Sequence, residues 1–321
     1  MHKLFLFAVL FLTGFVYAQE NQGDLVLSNQ KLAGGDGVVF KIPRWSPDGA
    51  KIALTGANFT GLFILNADGT DLRQISDEMS AGYNYNWSPD SRFISVTVAR
   101  YEGAKRKEAL KLFDLEMETS RLISDYVKPS ARRLQAFTGA NNLVVSETGA
   151  IKNIQTDEQT GREAKTAESG SKLICLIEGT DFSIYDPQSG VVEKMDPVPG
   201  AQYLTPVLSP DQNYLVFKVY GGTMQILNIK SKELTDLGSG HHPRWSPDSR
   251  WLVFERTADD GHELTSADLY IIDRNAQNVR PLMQTADVLE VNPDWSPLAN
   301  EIVYENLTTG EINKIVLKAL R

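Results

Sequence analysis

Cysteine is almost absent from this chain of 321 residues, with Cys175 the single example. No intramolecular disulfide can form, so the core alone must hold the fold. Cys175 lies in the apolar run KLICLI and reads as a small buried hydrophobe. Histidine is scarce too: His2, His241, His242 and His262 are all there is. Positive charge is in deficit, with 32 Lys and Arg against 41 Asp and Glu, a formal net charge of −9. That field repels phosphate backbones and anionic bilayers, so nucleic acid is not an expected partner. The sequence contains no G-x-S-x-G, no G-x-x-x-x-G-K-[ST], no G-x-G-x-x-G and no H-E-x-x-H. A nucleophile elbow, a P-loop, a dinucleotide fold and a zincin helix are thereby excluded. No twelve-residue stretch keeps an apolar stripe at helical period.

Long hydrophobic runs are also missing, except at the start. Leu4 to Val16 is nearly unbroken, shorter than the ~20 residues a helical span needs. Val16-Tyr17-Ala18 then places small residues at −3 and −1 before Gln19. Residues 1–18 read as a signal peptide cleaved after Ala18, with an uncleaved anchor as the alternative. No Cys follows the cleavage point, which excludes a lipobox. Residues 19–321 then form the mature chain, periplasmic or secreted, with no membrane span after signal removal. Loss of Lys3 takes the net charge from −9 to −10.

What is present is repetition. Trp45, Trp87, Trp245 and Trp295 each precede Ser-Pro, and Leu208 takes the tryptophan's place in LSPDQNYLVF. The steps between them are 42, 121, 37 and 50 residues. The long step is three times about 40, a period inside the range of propellers and solenoids. Proline presets φ for the second position of a type I turn, and Ser and Asp bond nearby backbone. The motif is therefore a hairpin corner with a large anchoring ring. After it come alternating runs such as GLFILNADGTDLRQIS and DLYIIDRNAQNVRPL, which argue strands joined by polar turns. Four strands in about 40 residues, repeated, predict the blades of an all-β propeller. Neighbouring blades cover each other's faces.

Unit starts fall near 45, 87, 134, 169, 208, 245 and 295, predicting seven blades. Residues 150–172 are short for two units, so six is the alternative if units three and four merge. The last unit holds only three strands, and DLVLSNQ from Asp24 can supply the fourth, closing the ring and removing its edges.

PRWSPDGAKIAL with LFILNADGTDLRQIS, and PRWSPDSRWLVF with LYIIDRNAQNVRPL, resemble the WD-like repeat of TolB-type β-propeller proteins. The resemblance covers nearly all of residues 24–321. It is clear in units one, two, five and six and weak in three and four. It implies a propeller and a periplasmic address. TolB carries an α/β domain before its propeller, for which this sequence has no room, so a role as TolB itself is not implied. The repeat also resembles the propellers of prolyl-oligopeptidase-type hydrolases, whose hydrolase domain is missing here, and of pectin-fragment lyases, whose histidine cluster this chain is too poor in histidine to build.

Several groups remain as candidate sites. His241 and His242 precede the tryptophan strand of unit six and read as solvated loop histidines or a ligand-binding pair. Asp259, Asp260, His262 and Glu263 share a long loop of the same unit. They match no calcium-loop spacing and read as a solvated acidic tip or a weak cation site. Arg100, Lys105, Arg106 and Lys107 cluster in ARYEGAKRKEALK, as a solvated tip or a contact for an acidic partner. Tyr83 and Tyr85 stand before Trp87, as contact aromatics or packing residues. Trp45, Trp87, Trp245 and Trp295 are expected to pack between blades. No metal site, no cofactor and no catalytic residue is expected. The predicted function is a non-catalytic scaffold that binds an envelope or periplasmic protein or peptide through loops at one end of the channel. A hydrolase or lyase acting on carbohydrate or peptide at a channel site is the alternative.

Overall fold

The computed structural model describes residues 24–82, 85–129, 134–147, 150–156, 172–178 and 181–320. These form seven antiparallel sheets, five of four strands and two of three. The single helical feature among them is a 3-10 turn at Ala57–Phe59. The signal segment predicted for residues 1–18 lies outside the described residues. No helix among those described is long and apolar enough to cross a membrane.

Each sheet is a blade of a β-propeller. The inner strands, in chain order, are Phe40–Trp45, Tyr85–Trp87, Leu134–Gly139, Ile174–Glu178, Tyr203–Leu208, His241–Trp245 and Glu290–Trp295. The count is seven, so the six-blade alternative is wrong. Units three and four do not merge: Leu134–Gly139 leads one sheet and Ile174–Glu178 another. SGSKLICLIEG aligns by sequence with the second strand of the repeat. Yet among the described strands Ile174–Glu178 is innermost, set between the inner strands of blades three and five. Without a Trp-Ser-Pro corner, sequence alone gives this strand no fixed place.

The repeated corner has one hydrogen-bond plan. The Ser46 hydroxyl donates to Asp48 (2.6 Å) and accepts the Lys51 N–H (2.9 Å), while Asp48 accepts the Ala50 N–H (3.0 Å). Ser246 repeats this with Asp248 (2.6 Å) and the Trp251 N–H (2.9 Å). Ser88 and Ser209 accept the N–H groups of Phe93 (2.8 Å) and Tyr214 (3.0 Å). The residue after the aspartate is left-handed each time: Gly49, Ser91, Gln212 and Ser249, φ between 59° and 67°. The hydroxyls of Ser91 and Ser249 also tie corners together. They accept the N–H groups of Asp48 (3.0 Å) and Asp211 (3.1 Å) on the preceding blades.

Alternation along each strand sends successive side chains into opposite seams. In blade six, Leu252 and Phe254 pack against blade five, while Trp251 and Val253 pack against blade seven. The seven hydrophobic clusters are the seven seams, so the core is a ring of interfaces. The last seam closes as predicted. Val26–Ala33 is the outer strand of blade seven, antiparallel to Glu311–Leu317, with Asn29 opposite Ile315.

Candidate functional site

Every inner strand runs from an upper end, where the hairpins between second and third strands turn, to a lower end of compact corners. Four inner strands share an interruption near the top. In K-I-P, L-T-P, H-H-P and V-N-P, the residue before proline is left-handed: Ile42 (φ 49°), Thr205 (49°), His242 (48°) and Asn292 (53°). Each lies at a shift in the register with the second strand. The bulge turns backbone groups out of the ladder, where other side chains must satisfy them.

Glutamates of the second strands do so. Glu255 accepts the Asn292 N–H at 2.6 Å and contacts His242 Nδ1 at 2.8 Å. Glu305 accepts the Ile42 N–H (3.1 Å), the Asn292 side-chain amide (2.9 Å) and the Lys41 ammonium (3.2 Å). Deeper in the channel, Asp294 accepts the Trp45 N–H at 2.8 Å and pairs with Arg244 at 3.2 Å. Burial, and then the nearby Arg44 charge, lower the Arg244 pKa to about 10. These three carboxylates spend their oxygens on joining blades. Such saturation suits a structural acceptor better than a general base, which needs a free lone pair at its substrate. A lysine and a histidine also line the wall near the top. Burial lowers the pKa of Lys218. Burial and then the Lys218 charge lower that of His241.

The sequence candidates divide among four places. His241 and His242 belong to this wall. Tyr85 is packed beside it in the seam of blades one and two, buried, with its hydroxyl against the carbonyls of Ile42 and Ala53. Burial pushes its pKa above the usual phenol value. Tyr85 is therefore not an exposed contact. Tyr83 lies outside the described residues. Trp45, Trp245 and Trp295 are buried in seams, and Trp87 packs half-buried against another.

The basic group stands on a hairpin rather than a loop. Phe93–Glu102 pairs with Lys105–Asp114, ten residues to a strand, against six in the second strand of blade one. The extra length raises its tip by roughly 13 Å. Arg100 pairs with Glu102 (2.6 Å), Lys107 with Glu102 (2.8 Å) and Arg106 with Glu108 (2.8 Å). Neighbouring loops brace it. Glu108 and Val127 exchange backbone bonds at 2.8 and 2.9 Å, Ala99 N–H donates to Met79, and Arg106 reaches the Ser80 hydroxyl. Blade six carries the counterpart, Trp251–Asp259 with Leu264–Asp273. Asp259, Asp260 and His262 occupy its tip. There Asp260 accepts the N–H groups of His262 and Glu263 (both 2.9 Å) and Asp259 that of Gly261 (3.0 Å). Among the described residues no three His, Cys, Asp or Glu side chains gather closely enough to hold a metal ion.

The channel-wall glutamates and Lys218 escaped the sequence reading, although a signal exists. Glu255, Glu305 and Lys218 each stand ten residues beyond Trp245, Trp295 and Leu208.

No family model and no curated protein matches the sequence. Solved structures do match. The β-propeller domain of Cps50 (Swd1) from Myceliophteria thermophila aligns with 91% of this chain and 100% of its own, at 12% identity and a TM-score of 0.61. Its architecture is this one. The fold is a WD-like β-propeller. Oligogalacturonate lyase from Vibrio parahaemolyticus shares that propeller over 92% of this chain and 98% of its own, at 13% identity and a TM-score of 0.56. TolB from Acinetobacter baumannii aligns with 90% of this chain and 65% of its own, at 13% identity and a TM-score of 0.47. At such identities the likeness to these propellers is one of fold.

Proposed function

We propose that this propeller is a non-catalytic scaffold that holds a protein or peptide of the cell envelope across the upper mouth of its channel. Residues 19–321 act as one domain, released to the periplasm or the exterior after cleavage behind Ala18. The observation that carries this reading is the pair of long hairpins on blades two and six. They stand on opposite sides of the mouth, and the one on blade two is braced from both sides. Walls of that kind frame a cleft for a segment of another chain. Tyr101 on blade two and Tyr220 on blade five expose 58% and 69% of their surface at this end. Exposed aromatics give contact area at a small entropic cost. The saturated carboxylates of the channel favour binding over acid–base turnover.

Site-specific photo-crosslinking in the native host tests this. A benzophenone residue at position 101 or 220 is expected to give a discrete protein adduct. The same probe at Met117 or Leu298, exposed at the lower end, is expected to give none. Adducts confined to the lower end, or none at all, would overturn the reading. Turnover of an acidic oligosaccharide by the purified protein would replace it with the lyase alternative.

A further inference from the structure

Glu255 and Glu305 hold the same place in adjacent blades. They pair across their inner hairpins with His241 and Val291, the residues just before the left-handed ones. Each accepts the backbone N–H of the left-handed residue on the following blade, Asn292 for Glu255 and Ile42 for Glu305. The ring thus repeats a socket: a carboxylate on one blade, an outturned N–H on the next.

Blade five breaks the series. Lys218 pairs with Leu204 in the same register, so it stands where the glutamates stand. The left-handed residue in the matching place on blade six is His242. Lysine has only protons to offer and can accept nothing. Only 8% of the residue is exposed. Among the described residues no hydrogen bond or ion pair holds its ammonium. His241 lies within electrostatic reach. Both Glu255 oxygens are already engaged, by Asn292 and by His242 Nδ1. The blade five wall therefore offers donors where its neighbours offer an acceptor. An unpaired cation in a partly desolvated wall is unfavourable, and an anion that also accepts neighbouring N–H groups relieves it.

We propose that the socket of Lys218, His241 and the His242 backbone binds an oxyanion, a carboxylate or phosphate group entering from the upper mouth. It supplies from outside the acceptor that blades six and seven carry as glutamate. The inference rests on the channel wall alone and stands whether or not a protein docks above it.

Thermal unfolding of the full mature chain tests it, in sodium phosphate and in sodium chloride of equal ionic strength. A parallel arm compares an acidic heptapeptide with its Asn/Gln counterpart. Phosphate or the acidic peptide is expected to raise Tm by about 3 °C when well above its Kd. A response to phosphate identifies a free oxyanion. A response to the acidic peptide but not to its Asn/Gln counterpart or to phosphate identifies a side-chain carboxylate. Lys218→Glu, which restores the built-in acceptor, is expected to raise Tm in plain buffer and abolish both responses. Lys218→Met is expected to fold, by circular dichroism, and also lose them. Failure of the unsubstituted protein to respond to either ligand overturns the proposal. So does a Lys218→Glu or Lys218→Met protein that responds as the unsubstituted one does.

Discussion

The tryptophans that pin the blades differ in one atom's circumstances. The Trp245 indole N–H donates to the Val207 carbonyl across the seam at 3.0 Å. The indole nitrogens of Trp45 and Trp295 are buried with no acceptor. Replacing Trp245 by Phe removes a made hydrogen bond and orphans a carbonyl, whereas the same change at Trp295 removes an unmet donor. Trp245→Phe is therefore expected to destabilise by about 1 kcal/mol more than Trp295→Phe, read from urea midpoints. Equal losses would show that the bond is worth nothing net. At this scale the sequence told much about the rings, because each keeps a fixed place before Ser-Pro. It told little about Lys218, whose meaning comes from register with Glu255 and Glu305 on other blades. Tyr85 could be placed only by the fold: its hydroxyl needed the carbonyls of Ile42 and Ala53, more than thirty residues away.

Among elements, the corner and the long hairpin make a contrast. The Ser-Pro-Asp corner is mostly local: its bonds within five residues were legible in the sequence, while those that Ser91 and Ser249 accept from neighbouring corners were not. Burial raises the carboxyl pKa of Asp48, but bonds from Ser46, Ala50 and Ser91 outweigh it and the net direction is down. Asp211 behaves likewise, with burial opposed by Ser209 and Asn213. Both folded values thus lie below the unfolded ones. Their contribution is complete above the unfolded carboxylate pKa and is lost as pH falls through the folded one. Stability is expected to decline below about pH 4. Combining Asp48→Asn with Asp211→Asn should flatten that slope; an unchanged slope in urea titrations at pH 3 to 7 would assign the acid sensitivity elsewhere. The blade two hairpin was harder to read. ARYEGAKRKEALK shows five cations, but which glutamate meets which depends on strand register. Glu102 turns out to serve both Arg100 and Lys107.

For the whole molecule, the period near 40 residues and the Ser-Pro corners were enough to predict a ring of seven. Blades three and four were faint because they lack the Ser-Pro corner, and the Ile174–Glu178 strand found its inner place through packing of Ile174 and Leu176 on Val144. The ring closes through Val26–Ala33, with side-chain contacts such as the Asn29 amide to the Tyr304 hydroxyl at 3.0 Å. Removing residues 24–33 bares the Glu311–Leu317 edge and strips Leu25 and Ala33 from two seams. The shortened protein is expected to lose cooperative unfolding in blade seven first, seen as early hydrogen exchange at Ile312 and Ile315. Exchange spread evenly around the ring would contradict that order. The clasp also sets a timetable. Translation makes the closing strand before everything it will touch, and its mate, Glu311–Leu317, only after the other six blades. Until then the closing strand has nowhere to go. Two unfinished chains side by side would each hold what the other is waiting for, so a reciprocal exchange of first strands is the misassembly this design must outrun.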